Sequence, residues 1–289
     1  ASLRAIPAQR SVDTARGFSW AASASLSNHF TMENEGEESL LLDGQTDALT
    51  LSLRYGLPQQ WDVEVTVPWR HYSGGVTDNL ISSWHRLFGL PDGNRQSYPT
   101  DALHYQLSQP EHDRHLLRSV SGLGDIHVAV SRPLMAIDGG QLGISAGVKT
   151  ASGRASDWLG SGATDVYALL RFSGQQLGGR PLWWHGQVGG TRAGNSNLFG
   201  PHQRRSLWFA GLAAEWRFTP RWSALMQYDG HSALLDGELE AVGEPAGMLS
   251  MAVRWRPTGH WMIDAGFSED VVVESAPDIT ILLNARYVP

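Results

Sequence analysis

The sequence predicts an all-β, membrane-spanning antiparallel up-and-down barrel of about 12 strands, with short periplasmic turns and long extracellular loops. Three observations predict it. Runs of strict apolar–polar alternation recur along the whole chain, each of the length that crosses a bilayer as a tilted strand. Short and long connections take turns between those runs. The polar half of each run is rich in Ser, Gly, Ala and Thr rather than in the Lys and Glu of a solvated surface. A soluble barrel or sandwich would carry the same period with its apolar face inward. The evenness of the apolar face through every strand, first and last included, argues against that alternative, because no strand reads as a protected edge.

Taken in order, "FSWAASASLSNHF" (18–30) sets Phe18, Trp20, Ala22, Ala24 and Leu26 against serines. "ALTLSLRYGL" (48–57) sets Leu49, Leu51, Leu53 and Tyr55 against Thr50, Ser52 and Arg54. "WDVEVTVPWR" (61–70) sets Trp61, Val63, Val65, Val67 and Trp69 against Asp62, Glu64, Thr66 and Arg70. The same parity runs through "GDIHVAVSR" (124–132), "QLGISAGVKT" (141–150), "DVYALLRF" (165–172) and "PLWWHGQVGG" (181–190). It continues in "LWFAGLAAEWRF" (207–218), "RWSALMQYD" (221–229), "LSMAVRW" (249–255), "HWMIDAGF" (260–267) and "DITILLNARYV" (278–288). The short connections are 56–60, 133–140, 173–180, 219–221 and 256–260. The long ones lie near 31–46, 73–121, 151–163, 191–205, 230–246 and 268–277. Trp and Tyr gather beside the turns, as in an interfacial girdle. Residues 1–16 lack the apolar core of a signal peptide and read as a periplasmic segment ahead of one barrel domain, 17–289. In the hairpin at 249–267, pairing Trp255 with Trp261 places Arg254 opposite Met262 and diagonal to Asp264.

"LSLRYGLPQQWDVEVTVPW" (51–69), "SGLGDIHVAV" (121–130), "LGISAGVKTASG" (142–153) and "APDITILLNARY" (276–287) resemble an uncharacterised proteobacterial outer-membrane β-barrel family of unknown function. That family is related to the outer-membrane channels of the phenol meta-cleavage pathway. The resemblance implies a twelve-stranded barrel in the outer membrane of a Gram-negative bacterium and passage of small hydrophobic or aromatic molecules. The chain departs from the pattern in "KTASG" (149–153) and in its last residues, Tyr-Val-Pro.

Membrane placement decides the parity of the charges. A strand-borne Arg or Lys facing lipid at mid-bilayer costs about 2–4 kcal/mol. The lumen is therefore expected to hold the cations Arg54, Arg70, Lys149, Arg171, Arg217, Arg254 and Arg286 and the anions Glu64, Asp125, Glu215, Asp229 and Asp264. Within the longest loop, 73–121, "NLISSWHRLFGLP" has helical spacing over 79–90. Trp84, Leu87 and Phe88 could there constrict the mouth.

Net charge is −7, which gives no bulk case for nucleic-acid binding. The absence of Cys excludes disulfides and thiolate chemistry. His85, His104, His112 and His115 lack convincing metal spacing, so neither metal nor cofactor is expected. The expected partners are outer-membrane lipid, lipopolysaccharide and a small solute, with the chain acting as a monomer. Three functions compete: a passive channel, a non-catalytic structural barrel and a lipid hydrolase. For the last, His231 with Ser232 and His202 with Ser206 are the candidate pairs, and no Ser–His pair shares a strand face at the outer rim.

Overall fold

A computed structural model of the protein describes residues 14–15, 17–75, 101–174, 179–272 and 279–289. Twelve strands close into the barrel wall: β1 (Phe18–Glu35), β2 (Glu38–Gly56), β3 (Asp62–Ser73), β7 (His127–Ile137), β8 (Gly140–Lys149), β9 (Asp165–Gly174), β10 (Leu182–Arg192), β11 (Ser206–Arg217), β12 (Trp222–His231), β13 (Ala246–Trp255), β14 (Trp261–Val272) and β15 (Ile279–Tyr287). Each pairs antiparallel with its neighbours. The ring is sealed by β1 against β15, from Trp20 opposite Tyr287 to Asn28 opposite Ile279. Closure removes the unpaired edges that no lipid could satisfy.

The wall is apolar outside and polar inside. Leu49, Leu51, Trp69, Val130, Val188, Met226, Val253 and Leu283 are exposed on the outer face, and Leu212 is 57% exposed. The alternate residues of the same strands are buried in the interior: Asp62, Glu64 and Thr66 on β3, Ser131 on β7, Ser223 and Gln227 on β12. Hydroxyl groups bridge neighbouring strands across this inner face, Ser27 to Thr280 at 2.9 Å, Ser52 to Thr66 at 3.0 Å and Ser131 to Ser145 at 2.7 Å. At the short-turn rim Trp222 stacks on Trp255 at 5.9 Å, and Trp20 meets Trp261 edge-on at 5.3 Å.

Among the described residues, three further strands stand above the wall at the long-loop end. β4 (His104–Gln109) and β5 (His112–Leu116) form a hairpin that joins the upper part of β2 through Leu42 opposite Tyr105. β6 (Val120–Leu123) pairs with the upper part of β3, whose lower part pairs with β7. Gly44 marks the point where β2 changes partner. Its φ of +148° suits glycine, and a Cβ there would stand 2.8 Å from Leu103 Cδ1.

Three expectations need correction. Residues 31–46 are not a long polar loop: β1 and β2 run on past the other strands and join through Gly36 and Glu37. Their charges read as a loop because they sit beyond the membrane, where a strand can be polar on both faces. The 73–121 connection contains β4, β5 and β6, so His104, His112 and His115 lie on strands. The β13–β14 register differs by two residues: Trp255 faces Ile263, which brings Arg254 directly opposite Asp264. The turn between them is longer than the one assumed. Trp84, Leu87, Phe88 and the helix expected over 79–90 lie outside the described residues.

Candidate functional site: a lumen with an ionic layer and an apolar cap

At the periplasmic end the inward side chains form an ionic layer. Glu215 on β11 is 1% exposed and accepts from Arg217 Nε (2.7 Å), Ser223 Oγ (2.9 Å) and Arg254 Nη1 (3.1 Å), as well as from Arg256 Nη2. Arg254 in turn donates as a fork to Asp264, Nε to Oδ1 at 2.6 Å and Nη2 to Oδ2 at 2.9 Å. Asn284 donates to the same carboxylate at 3.2 Å. Arg217 also lies flat over the Trp183 ring, 3.9 Å from its centroid. On the opposite wall Arg54 Nε donates to Asp62 at 2.8 Å, and Glu64 stands across from Arg54 in the ladder. Such forked pairs are directional and strong, and rigid strands fix both partners.

Higher up, Lys149 ends β8 and is buried. Its Nζ donates to Asp125 Oδ2, Ser161 Oγ and Ala163 O, each at 2.7 Å, and lies 3.2 Å from Asp165. Asp125 lies in the segment between β6 and β7, turned inward, and also accepts from the Gly153 and Ser161 amides at 2.9 Å. A Cβ on Gly160 would sit 2.2 Å from Asp125 Oδ1, so only glycine lets this loop close on the carboxylate. The effect is to place Trp158 and Leu159 over the lumen.

There they meet an apolar cap. One cluster packs Leu40, Leu107, Leu235, Leu239 and Ala241; another packs Tyr72, Tyr105, Leu116, Val120 and Leu159. Leu42 and Trp158 touch both. The β4–β5 hairpin, which springs from β2, reaches the loop before β11. His112 Nε2 contacts Leu198 O at 2.8 Å, and Arg114 donates twice to Asn197 O, at 3.1 and 3.0 Å. β2 and β11 stand half a turn apart in the ring, so a hairpin that joins them crosses the mouth. A short helix, Glu240–Gly243, is held to the β1–β2 tip by the Ala241 amide, which donates to Glu33 at 3.0 Å, and by the Glu238 amide, which donates to Glu38 at 2.7 Å. Burial in this cap raises the pKa of the Tyr105 hydroxyl above its ordinary value.

The model for a family described as "Protein of unknown function (DUF3187)" matches residues 1–288. The chain belongs to that family. No curated protein matches it. Among solved structures it is similar to the COG4313 outer membrane channel from Pseudomonas putida F1, at 13% identity and a TM-score of 0.66 over 99% of this chain and 100% of that one. It is also similar to the NanC porin, at 6% identity and a TM-score of 0.50 over 94% of this chain and 100% of that one. Likeness at this identity shows a shared fold. The DUF3187 chain is an outer-membrane-type β-barrel by that fold, by its closed ladder and by its apolar belt.

Of the charged residues expected inside, the structure joins Glu215, Arg217, Arg254 and Asp264 in one network and Asp125 with Lys149 in another. Arg54 takes Asp62 as its carboxylate partner. Asp229 accepts from Gln227 at 2.6 Å. Arg70 is half-buried on the inner parity of β3. Arg171 and Arg286 make no ion pair among the described residues. Sequence reasoning missed Asp62, Ser223 and Arg256, and it missed the cap altogether. The signal for the cap was present as apolar side chains inside otherwise polar loops, in "DWLG" (157–160), "NLFG" (197–200) and "SALLDGELEAVG" (232–243).

A Ser–His contact does exist at the outer rim, on neighbouring strands rather than on one. His71 Nδ1 lies 2.7 Å from Ser121 Oγ, just above the exposed Trp69 and Leu123. The two pairs expected from sequence are not formed: His231 contacts the Ser232 carbonyl and His202 the Pro110 carbonyl.

Proposed function

We propose that the protein is an outer-membrane channel for passive uptake of small solutes, with hydrophobic or aromatic molecules as its cargo, acting as a monomer. The observation that carries this reading is the charged interior enclosed by an apolar wall. Charged and hydroxyl side chains along the inner face are the lining that a path for solutes in water requires. Twelve strands fall between the eight that side chains fill and the 16–18 that leave an open aqueous channel. The apolar cap favours a cargo that can cross a greasy door, in keeping with the chain's resemblance to the meta-cleavage-pathway channels. The name of the similar Pseudomonas putida barrel, an outer membrane channel, supports the same class. The test is planar-bilayer recording of the purified protein. Conductance above that of protein-free membranes, interrupted by an aromatic solute such as catechol, is expected. A barrel that conducts no ions and responds to no aromatic solute ends the reading.

A second reading, an outer-membrane lipid hydrolase, is favoured by the Ser121–His71 contact. Ser121 Oγ would attack an ester carbonyl while His71 takes its proton and returns it to the leaving alkoxide; water, its proton taken by His71, would then cleave the acyl group from Ser121 as a fatty acid and the proton would return to Ser121 Oγ. This reading ranks below the first because such a base is normally oriented by an acid on its other ring nitrogen. Asp47 stands across from His71 in the ladder without bonding it. Release of fatty acid from phospholipid vesicles by the wild type, lost in Ser121→Ala, would support hydrolysis. No release by the wild type would dispose of it.

A further inference from the structure

The ionic layer at the periplasmic end does not balance. Among the described residues that are not exposed, six guanidinium groups lie within three residues of the periplasmic ends of their strands or in the turn just beyond: Arg54, Arg171, Arg217, Arg254, Arg256 and Arg286. The carboxylates of the same slice that are not exposed are four, Asp62, Glu64, Glu215 and Asp264, which leaves two cations in excess. The excess is localised. Arg54, Arg217, Arg254 and Arg256 each hold a carboxylate. Arg171 is 7% exposed, and its Nε and Nη2 have no hydrogen-bond partner. Arg286 is half-buried on the inner face of β15 and makes no hydrogen bond or ion pair among the described residues.

Their surroundings do not compensate them. The charged and titratable groups that act on Arg171 are Arg54, Asp62 and Tyr167, and Asp62 is already forked onto Arg54. Those that act on Arg286 are Arg254, Asp264 and Arg54, and Asp264 is already forked onto Arg254. Asp62 and Asp264, the carboxylates that act on Arg171 and Arg286, are each committed to another arginine. A guanidinium presents five donors in a planar fork that matches a carboxylate edge on. One buried without acceptors is costly in a low-dielectric interior. The small inward residue Gly143 stands opposite Arg171 in the ladder, so no neighbouring side chain on β8 takes up its donors.

We propose that Arg171 and Arg286 form an anion-binding constriction in the lumen, and that the solutes this channel favours are small organic molecules bearing a carboxylate. The inference rests on the channel reading above and narrows its cargo. Arg171 and Arg286 stand on opposite walls, half a turn apart in the ring, and the solute's carboxylate bonds one guanidinium and then the other in place of its water shell, while the apolar remainder of the solute is what the cap admits. The fixed pairs around Glu215 and Asp62 keep the remaining charges from competing for it. Cations are repelled from the same point, so the layer acts as a charge filter in series with the apolar cap.

The test uses the full chain and the variants Arg171→Gln/Arg286→Gln and Arg171→Lys/Arg286→Lys, each first shown to fold by its heat-dependent shift on gels. Reversal potentials are measured in planar bilayers under a KCl gradient and again with benzoate replacing chloride. The wild type is expected to prefer anions to potassium and to pass benzoate. The Gln variant should lose that preference several-fold, and the Lys variant should keep most of it. A conducting wild type that shows no anion preference, or a Gln variant with unchanged selectivity, overturns the inference and leaves the channel reading standing. A wild type that does not conduct overturns the channel reading instead. Benzoate binding in detergent, followed by tryptophan fluorescence against neutral benzamide, then decides the site: saturable binding lost in the Gln variant upholds it, and equal or absent binding overturns it.

Discussion

The periplasmic layer and the extracellular cap line the two ends of one lumen with opposite chemistry. Below, Glu215 gathers Arg217 and Arg254 from rigid strands and Arg256 from the turn after β13. Above, Leu40, Leu107, Leu235 and Leu239 meet on a hairpin and a loop. The difference follows from the solvent. Within the membrane the lipid claims the apolar face of every strand, so polar side chains are what remains for the interior, and they must satisfy one another. Beyond the membrane water surrounds the chain, so apolar side chains turn inward as in a soluble domain. The ionic layer is built into the ladder and can change little without breaking the barrel. The cap is joined to the wall through loops and can part while the ladder stays whole.

That contrast can be broken from either side. The largest effect is expected for Glu215→Ala, which removes the acceptor that Arg217, Arg254 and Arg256 share and leaves Arg254 only Asp264. The cost is about 3–5 kcal/mol, read as a lower urea midpoint for loss of the folded gel form. Leu212→Arg, on the lipid face, should cost about 2–4 kcal/mol and reduce assembly into membranes. If it is tolerated as well as Leu212→Ala, the faces have been assigned the wrong way round. Leu235→Ala should cost about 2 kcal/mol, the low end for Leu→Ala, because the loops can settle into the space. It should loosen only the cap, seen as proteolysis within 232–245 while the barrel keeps its heat-dependent mobility. Ser131→Ala removes one half of a hydroxyl bridge and should cost about 1 kcal/mol or less. The smallest expected effect is alkaline. Burial raises the Tyr105 pKa, so the neutral hydroxyl's contribution is complete below its ordinary value of 10.0 and fades as pH climbs past it towards the folded value. Cap proteolysis should increase there in the wild type and not in Tyr105→Phe.

The two ends also differ in how far they could be read from sequence. Strand parity in the wall was legible because the period of two survives in every run, and the lipid argument then placed Glu215, Arg254 and Asp264 inside. Their pairing was less legible. The turn 256–260 leaves the register open by two residues, and only the fold puts Arg254 directly against Asp264. The cap left only scattered apolar side chains in polar loops as its signal. Leu107 sits on the short strand β4 and Leu159 and Leu235 in separate loops, each segment too short to show a sustained period, and they become a core only when the ring brings them over one axis. Residues 33–38 misled for a related reason: a charged strand above the membrane has no apolar face to declare it.

Single-channel recording of the wild type beside a Leu159→Ala/Leu235→Ala variant tests the central claim most directly, that the lumen is the route and the apolar cap its door. Several-fold more frequent or larger openings in the variant, with the folded gel form retained, are predicted. Equal silence from both proteins in the bilayer would contradict the account.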